Sequence, residues 1–196
     1  MKLLNAKDLK KDKSAVNQPI EGLFMKLLFE IDTKDYNKEG VGFVRHSARC
    51  INIKNGLVAM VHSKKYNYYK FPGGGIDEGE TNEQAVVREA LEEGGLVVIP
   101  DKIIPFGYVH RIGKSEKEGV DYFLQDNFYY LCEVEDELKE QILDGYEREE
   151  GFTLQYVTPQ HAIEVNRTMP HGHKSFTMLE RECKVLEILI TEGYFD

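Results

Sequence analysis

Three consecutive glycines, Gly73–Gly75, run into a capped helix that carries three glutamates on one side, and this stretch constrains the chain more than any other. Glycines in series are costly inside a helix or strand, so they mark a backbone that turns sharply or approaches something closely. Thr81, with Gln84 three residues on, forms a capping box, which starts a helix at about Asn82. Gly94-Gly95 ends it. Along that helix Glu89, Glu92 and Glu93 fall at i, i+3 and i+4, so they share one face. Like charges so spaced repel, and the C-terminal end of a helix disfavours anions. Clustered carboxylates beside a loop with accessible carbonyls suit a hard divalent cation, Mg²⁺ or Mn²⁺, which also lets an acidic protein hold an anionic ligand. A solvated acidic face is the competing reading. If the face exists for a cation, Glu93→Gln removes a like-charge pair and leaves the fold as stable or slightly more so.

The rest of the chain alternates strands and helices. The apolar residues Leu23, Phe24, Leu27, Leu28 and Ile31 follow helical spacing and predict a short helix. Residues 41–53 are rich in strand formers, and Asn55-Gly56 predicts a hairpin returning over 57–62. Strands are expected at 96–99, 103–111, 121–134 and 152–158, and helices at 159–166 and from Ser175 to about Thr191. Such interleaving, with an antiparallel hairpin, predicts an α/β fold with a mixed sheet covered by helices. With 196 residues and no internal repeat or linker, one domain is expected over 1–196. Its core spans about 41–167, with an N-terminal extension over 1–40 and a C-terminal helix over 175–193.

Charge and cysteine content narrow the class. Lys plus Arg number 25 and Asp plus Glu 34, a net charge of −9, which argues against broad binding to nucleic acid or an anionic membrane. A small phosphorylated ligand stays compatible if a cation mediates the contact. Cys50, Cys132 and Cys183 are odd in number and form no CxxC, which fits a reducing, cytoplasmic setting. The first residues carry no sustained apolar run, and no apolar run nears the ~20 residues of a membrane helix. A homodimer is left open.

The spacing around the glycines carries more. From Gly74 the chain places Glu80, Arg88, Glu89, Glu92, Glu93, Gly95 and the aliphatic Leu96 at fixed intervals. Seven such matches coincide by chance about once in 10⁸ start points at ordinary residue frequencies. The pattern is similar to the complete box of the Nudix hydrolases, densely over 71–96 and more loosely over about 41–167. The resemblance implies an α/β/α sandwich with a mixed sheet. It also implies Mg²⁺-dependent hydrolysis of a nucleoside diphosphate linked to another moiety. By position, Glu89, Glu92 and Glu93 would be metal ligands together with the Gly73 carbonyl. Gly74, Glu80 and Arg88 would brace the loop against the helix, and Arg88 can also pair with Glu92. Water attacks phosphorus and a carboxylate takes its proton.

In some relatives that base lies in a loop before the last core strand, here 144–157. Glu150 is the first candidate, then Glu149 and Glu147. Arg45 and Arg49, four apart on a predicted strand, share a face and are candidate phosphate contacts, against a structural ion pair. Tyr66, Tyr68 and Tyr69 precede the glycines, and Tyr69 is the candidate for stacking on a base, against ordinary packing. His171 and His173 form a weak metal-like pair. Substrate markers of known subfamilies are missing: Arg111 and Gly113 stand where a proline or tyrosine would be expected, and there is no tryptophan. Residues 111–123 form a polar insertion between strands. The alternative function is a non-catalytic Nudix module that senses a nucleotide ligand or binds a protein; an intact box favours the enzyme. An RNA 5′-end substrate runs against the charge.

Overall fold

The computed structural model describes residues 3–4, 25–168, 170–172 and 174–196. Eleven strands and four helices are found among them. The strands are β1 (Leu3–Leu4), β2 (Leu27–Asp32), β3 (Gly42–Val44), β4 (Ser47–Ile51), β5 (Ile53–Lys54), β6 (Leu57–Ser63), β7 (Tyr68–Lys70), β8 (Gly73–Gly75), β9 (Val98–Lys114), β10 (Tyr122–Val134) and β11 (Phe152–Val157). The helices are α1 (Asn82–Gly94), α2 (Gly145–Glu150), α3 (Pro159–Thr168) and α4 (Phe176–Thr191).

Two sheets share the interior. The larger is mixed, in the order β1-β3-β10-β4-β8, with β9 also paired to β10 and β2 to β9. Strand β10 runs parallel to β3 and β4 and antiparallel to β9. The smaller sheet, β11-β6-β5 with β7 against β6, is antiparallel throughout. Side chains alternate across both, as the strand period requires. Ala48, Cys50, Ala59, Tyr130 and Cys132 meet Ala85, Val86 and Ala90 of α1. Ile51, Val58, Met60 and Tyr129 meet Ala162 of α3 and Val185, Leu186 and Leu189 of α4. The sheets therefore lie between α1 on one side and α3 with α4 on the other, an α/β/α arrangement.

The local signals hold where they were strongest. Thr81 caps α1 with the reciprocal Gln84 contact, and Gly95 closes it in the left-handed region at φ 65°. Asn55 and Gly56 have φ of 53° and 72°, and Lys54 pairs with Leu57 across this two-residue turn. The expected C-terminal helix runs Phe176–Thr191.

Three readings are corrected. The helix expected from Leu23 to Ile31 is, from Leu27 on, strand β2, parallel to β9; Leu23 and Phe24 lie outside the described residues. A bulge between Leu27 and Phe29 lets Leu28, Phe29 and Ile31 all reach the core, which breaks the two-residue alternation and imitates helical spacing. The single strand expected over 41–53 is three strands; it breaks at Arg45–His46 and again at Asn52, which turns its amide inward to the Cys132 carbonyl and its oxygen to the Tyr156 hydroxyl. The loop expected before β11 contains α2. Asp144 and Glu147 cap it reciprocally, and Gly151 ends it.

Candidate active site

Strand β8 pairs with β4 and lies at the edge of the larger sheet. Gly73 has φ 147°, a conformation that favours glycine, and a Cβ there would collide with the Ala48 carbonyl oxygen. A Cβ at Gly74 would occupy the space of the Glu89 carboxylate. The glycines thus let the α1 glutamates lie directly on the loop backbone.

Arg88 organises the exposed half of this contact. Its guanidinium donates to both oxygens of Glu80, each at 2.8 Å, and to the Gly75 carbonyl at 3.0 Å. It also donates to Glu89 at 2.8 Å and to Glu92 at 3.0 Å. Arg88 therefore draws Glu80, the loop and two α1 glutamates together. Its hydrogen bonds hold the Glu80 carboxyl below its ordinary range.

The buried half centres on Glu93, whose exposure is 1%. One carboxylate oxygen accepts from Lys70 Nζ at 2.5 Å, and the other accepts the Gly73 amide at 2.9 Å. Lys70 is buried as well. Two more carboxyls share the neighbourhood. Burial pushes Glu89 up, and the charge of Glu93 adds to it. Burial pushes Glu147 up to about 7; the Asp144 amide opposes this, and Glu93 reinforces it both as a charge and as a hydrogen-bond partner. The expectation that Glu93→Gln leaves the fold unharmed fails on this geometry, because it would strip Lys70 of its buried partner.

Glu89, Glu93 and Glu147, with the Gly73 carbonyl, supply hard oxygen donors, with Arg88 on Glu89, Lys70 on Glu93 and Arg49 on the carbonyl. A set of oxygen donors of this kind suits a divalent cation. Among the described residues no three such side chains are already drawn into a cage. Glu93 is held by Lys70 and the Gly73 amide, Glu89 and Glu92 by Arg88, and the Gly73 carbonyl accepts from Arg49 Nη1 at 2.8 Å and Lys70 Nζ at 3.4 Å. Cation entry would displace cationic side chains from these oxygens.

Other sequence candidates fall elsewhere. Glu150 is buried away from the α1 glutamates, its carboxylate taken by Ser63 Oγ at 3.0 Å, Tyr68 Oη at 2.8 Å and Lys174. Glu149 pairs with Lys65 at the surface. Of the three loop glutamates, only Glu147 reaches Glu93. Arg45 and Arg49 do not sit on one continuous strand, since β3 ends at Val44 and β4 begins at Ser47. Arg45 is exposed, with its guanidinium over Gly75. Arg49 is buried and donates to the Phe71 and Gly73 carbonyls, so it braces the loop rather than facing outward. Tyr69 is corrected as a stacking residue: its ring is buried against His62, and its hydroxyl donates to Gln155 at 3.0 Å. His171 turns its ring nitrogens to the carbonyls of Tyr66 and Asn166; His173 lies outside the described residues. A cavity of about 640 Å³ lies beside Leu91 and residues 139–143, and no α1 glutamate lines it.

Lys70 was missed by sequence reasoning. Its signal was a lone cation in the buried strand β7, between tyrosines and Phe71. Glu182 and Arg181 were also missed, although Glu182 occupies the apolar stripe of α4 with Leu179, Leu186 and Leu189.

The chain was compared with known proteins. The NUDIX domain family matches residues 44–179. A protein named RNA pyrophosphohydrolase from Baumannia cicadellinicola subsp. Homalodisca coagulata is 52% identical over 42 residues, 21% of this chain and 26% of that protein. Another of that name from Vibrio atlanticus is 52% identical over 56 residues, 28% of this chain and 33% of that protein. The chain thus matches about a quarter to a third of the length of these curated relatives. Among solved structures, a NUDIX hydrolase from Nitrosomonas europaea superposes with a TM-score of 0.51 at 17% identity, over 74% of this chain and 89% of that one, a likeness of fold.

Proposed function

This chain belongs to the Nudix family, and from that premise we propose that it is a hydrolase dependent on Mg²⁺ or Mn²⁺. Its substrate is a nucleoside diphosphate linked to another moiety, and water attacks phosphorus to cleave a phosphoanhydride bond. The observation that carries this reading is the convergence of Glu89 and Glu93 on the Gly73–Gly74 backbone, with Glu147 beside Glu93. A sensor or protein-binding module has no need of such a cluster.

Glu89, Glu92, Glu93 and the Gly73 carbonyl would hold the cation. When bound, it would neutralise phosphate oxygens and acidify the attacking water. Arg88 and Glu80 fix the glycine loop against α1, so the carbonyl and the carboxylates stay in register. Glu147 takes the water proton, since it faces Glu93 while Glu150 is saturated by Ser63, Tyr68 and Lys174. The water oxygen remains on the attacked phosphorus, the bond from that phosphorus to the bridging oxygen breaks, and the other phosphate leaves with that oxygen and whatever it carries. Arg45, exposed over Gly75, contacts substrate phosphate.

A second substrate reading, the triphosphorylated 5′ end of an RNA, is favoured by the names of the partial relatives. The net charge of −9 counts against it. One experiment separates these readings: a panel of nucleoside diphosphate derivatives and a 5′-triphosphorylated oligoribonucleotide, each with Mg²⁺ or Mn²⁺, with the monophosphorylated products resolved by chromatography. Turnover of the small substrates with the RNA inert supports the first reading. The reverse supports the second. Binding without turnover of any substrate supports the module.

A further inference from the structure

Each backbone polar group from Phe71 to Gly73 has a partner. The Gly73 amide goes to Glu93, and its carbonyl accepts from Arg49 and Lys70. The Pro72 carbonyl accepts the Cys50 amide at 2.8 Å, and the Phe71 carbonyl accepts from Arg49 at 3.3 Å. The Phe71 amide is held from elsewhere: it donates at 3.1 Å to Glu182 of α4. Glu182 lies beyond the last residue of the family match.

Glu182 is 0% exposed and its neighbour Arg181 is 1% exposed. Adjacent on the helix, they bond to each other through Arg181 Nε at 2.9 Å and also through Nη2. Arg181 Nη1 continues to Asn127 Oδ1 at 2.6 Å, which also accepts Ser47 Oγ at 2.8 Å. The chain of contacts therefore runs from α4 through β10 to β4, the strand on which β8 is laid. Burial works against the charge of Glu182, yet Arg181, then Arg49, then the Phe71 amide hold its carboxyl below the ordinary value. Arg49 Nε is itself buried without a partner, so the cations here are not arranged for maximal pairing among themselves. A buried ion pair is a weak device for stability, since apolar side chains of similar volume usually serve as well. It is an effective one for fixing a single backbone position.

We propose that the Arg181–Glu182 pair is a positioning device for the glycine loop, with Glu182 holding the Phe71 amide so that the Gly73 carbonyl stands where the α1 glutamates need it. This rests on the hydrolase reading for its catalytic consequence, but not for its structural one. Two double variants isolate the contact: Arg181→Met with Glu182→Gln, and Arg181→Met with Glu182→Leu. Both abolish the two charges of the pair, and only the first keeps an acceptor for the Phe71 amide. Arg167→Ala, which releases the half-exposed contacts of α3 to Glu180 and Glu187 of α4, serves as the control for loosening the helix alone.

Amide hydrogen exchange is read at Phe71 and Gly73–Gly75, alongside kcat, KM and the Mg²⁺ concentration for half-maximal rate. The leucine double variant is expected to exchange at least about 10-fold faster at these amides. It should need more Mg²⁺ and lose roughly 10²-fold in kcat with little change in KM. The glutamine double variant and Arg167→Ala should stay within about threefold of the parent at Phe71 and in kcat. If leucine packing unfolds the chain, Arg181→Met with Glu182→Met fills the space with flexible side chains and is read in the same way. A folded variant lacking the acceptor, with parental exchange at Phe71 and parental Mg²⁺ dependence, overturns the proposal. So does a glutamine variant as impaired as the leucine one. If the parent turns over no substrate, the hydrolase reading fails, and the exchange comparison still decides whether Glu182 holds the loop.

Discussion

Replacing Lys70 by Met tests the electrostatics of the site most directly. Among the described residues Lys70 is the only ammonium on Glu93, and both are buried. Removing one member of a buried pair costs about 3–5 kcal/mol, because the remaining charge is left uncompensated. Here the remaining charge also faces Glu89 and Glu147. At about 2–4 °C per kcal/mol for a chain of this size, Tm without metal should fall by roughly 6–20 °C. Neutralising both partners, as Lys70→Met with Glu93→Gln, should recover much of that loss, since no lone buried charge remains. Lys70 also competes with any cation for Glu93. Lys70→Met should therefore bind Mg²⁺ more tightly than the parent, and added Mg²⁺ should raise its Tm by more than it raises the parent's. A ligand at 100 times its dissociation constant contributes about 2.7 kcal/mol. Paired melts of the parent and the two variants, with and without Mg²⁺, provide the test. Equal Mg²⁺ shifts in parent and Lys70→Met would refute competition at Glu93. A double variant no more stable than Lys70→Met would refute the account of the buried charge.

Glu147→Gln should lower kcat by about 10²–10⁴-fold, while Glu150→Gln should act chiefly on stability through Lys174 and leave a larger share of kcat; kcat with matched melts separates them. Gly73→Ala should fail to fold or lose all turnover, because its Cβ meets the Ala48 carbonyl, whereas Gly79→Ala, at φ 84° with open space around it, should cost only about 1–2 kcal/mol in a denaturant melt. Asp126 hydrogen-bonds His110 and raises its pKa above 6.5, although burial opposes this. The resulting stabilisation is full below the unfolded value and declines as pH rises through the folded one. Denaturant melts from about pH 6 to about pH 9 should show that decline in the parent and much less of it in Asp126→Asn; parallel curves would count against the pairing.

What could be read from the chain was what is encoded locally. Helix α1 was legible because its cap, its glutamate face and its closing glycine lie within a few residues of one another. The Asn55-Gly56 hairpin was legible for the same reason. Strand β2 was not, because a bulge places consecutive apolar residues on the core and its partner β9 is far along the chain. Helix α2 carried its own capping box, Asp144 to Glu147, but a run of charges around it reads as loop. The α1 glutamates could be named as a site from their spacing. Lys70 opposite Glu93 and Glu182 opposite Phe71 could not, since contacts across such separations exist only once the sheets are assembled. That Glu147 rather than Glu150 lies beside Glu93 was hidden for a related reason. Three residues apart, they share a helix, and which one meets Glu93 depends on where Lys174 lies.

The side chain of Glu147 has two engagements: it accepts the Asp144 amide as the cap of α2, and it faces Glu93. The direction in which it points is therefore tied to whether six residues remain coiled. A helix that short has no stability of its own in water and persists only through its caps and neighbours. On warming, α2 is expected to unwind before the sheets separate, and with it the proposed role of Glu147 would be lost. Catalytic rate should then fall over a temperature range in which circular dichroism still reports an intact protein, and it should return on cooling. The enzyme would have a reversible thermal ceiling set by α2, below the melting point set by its core.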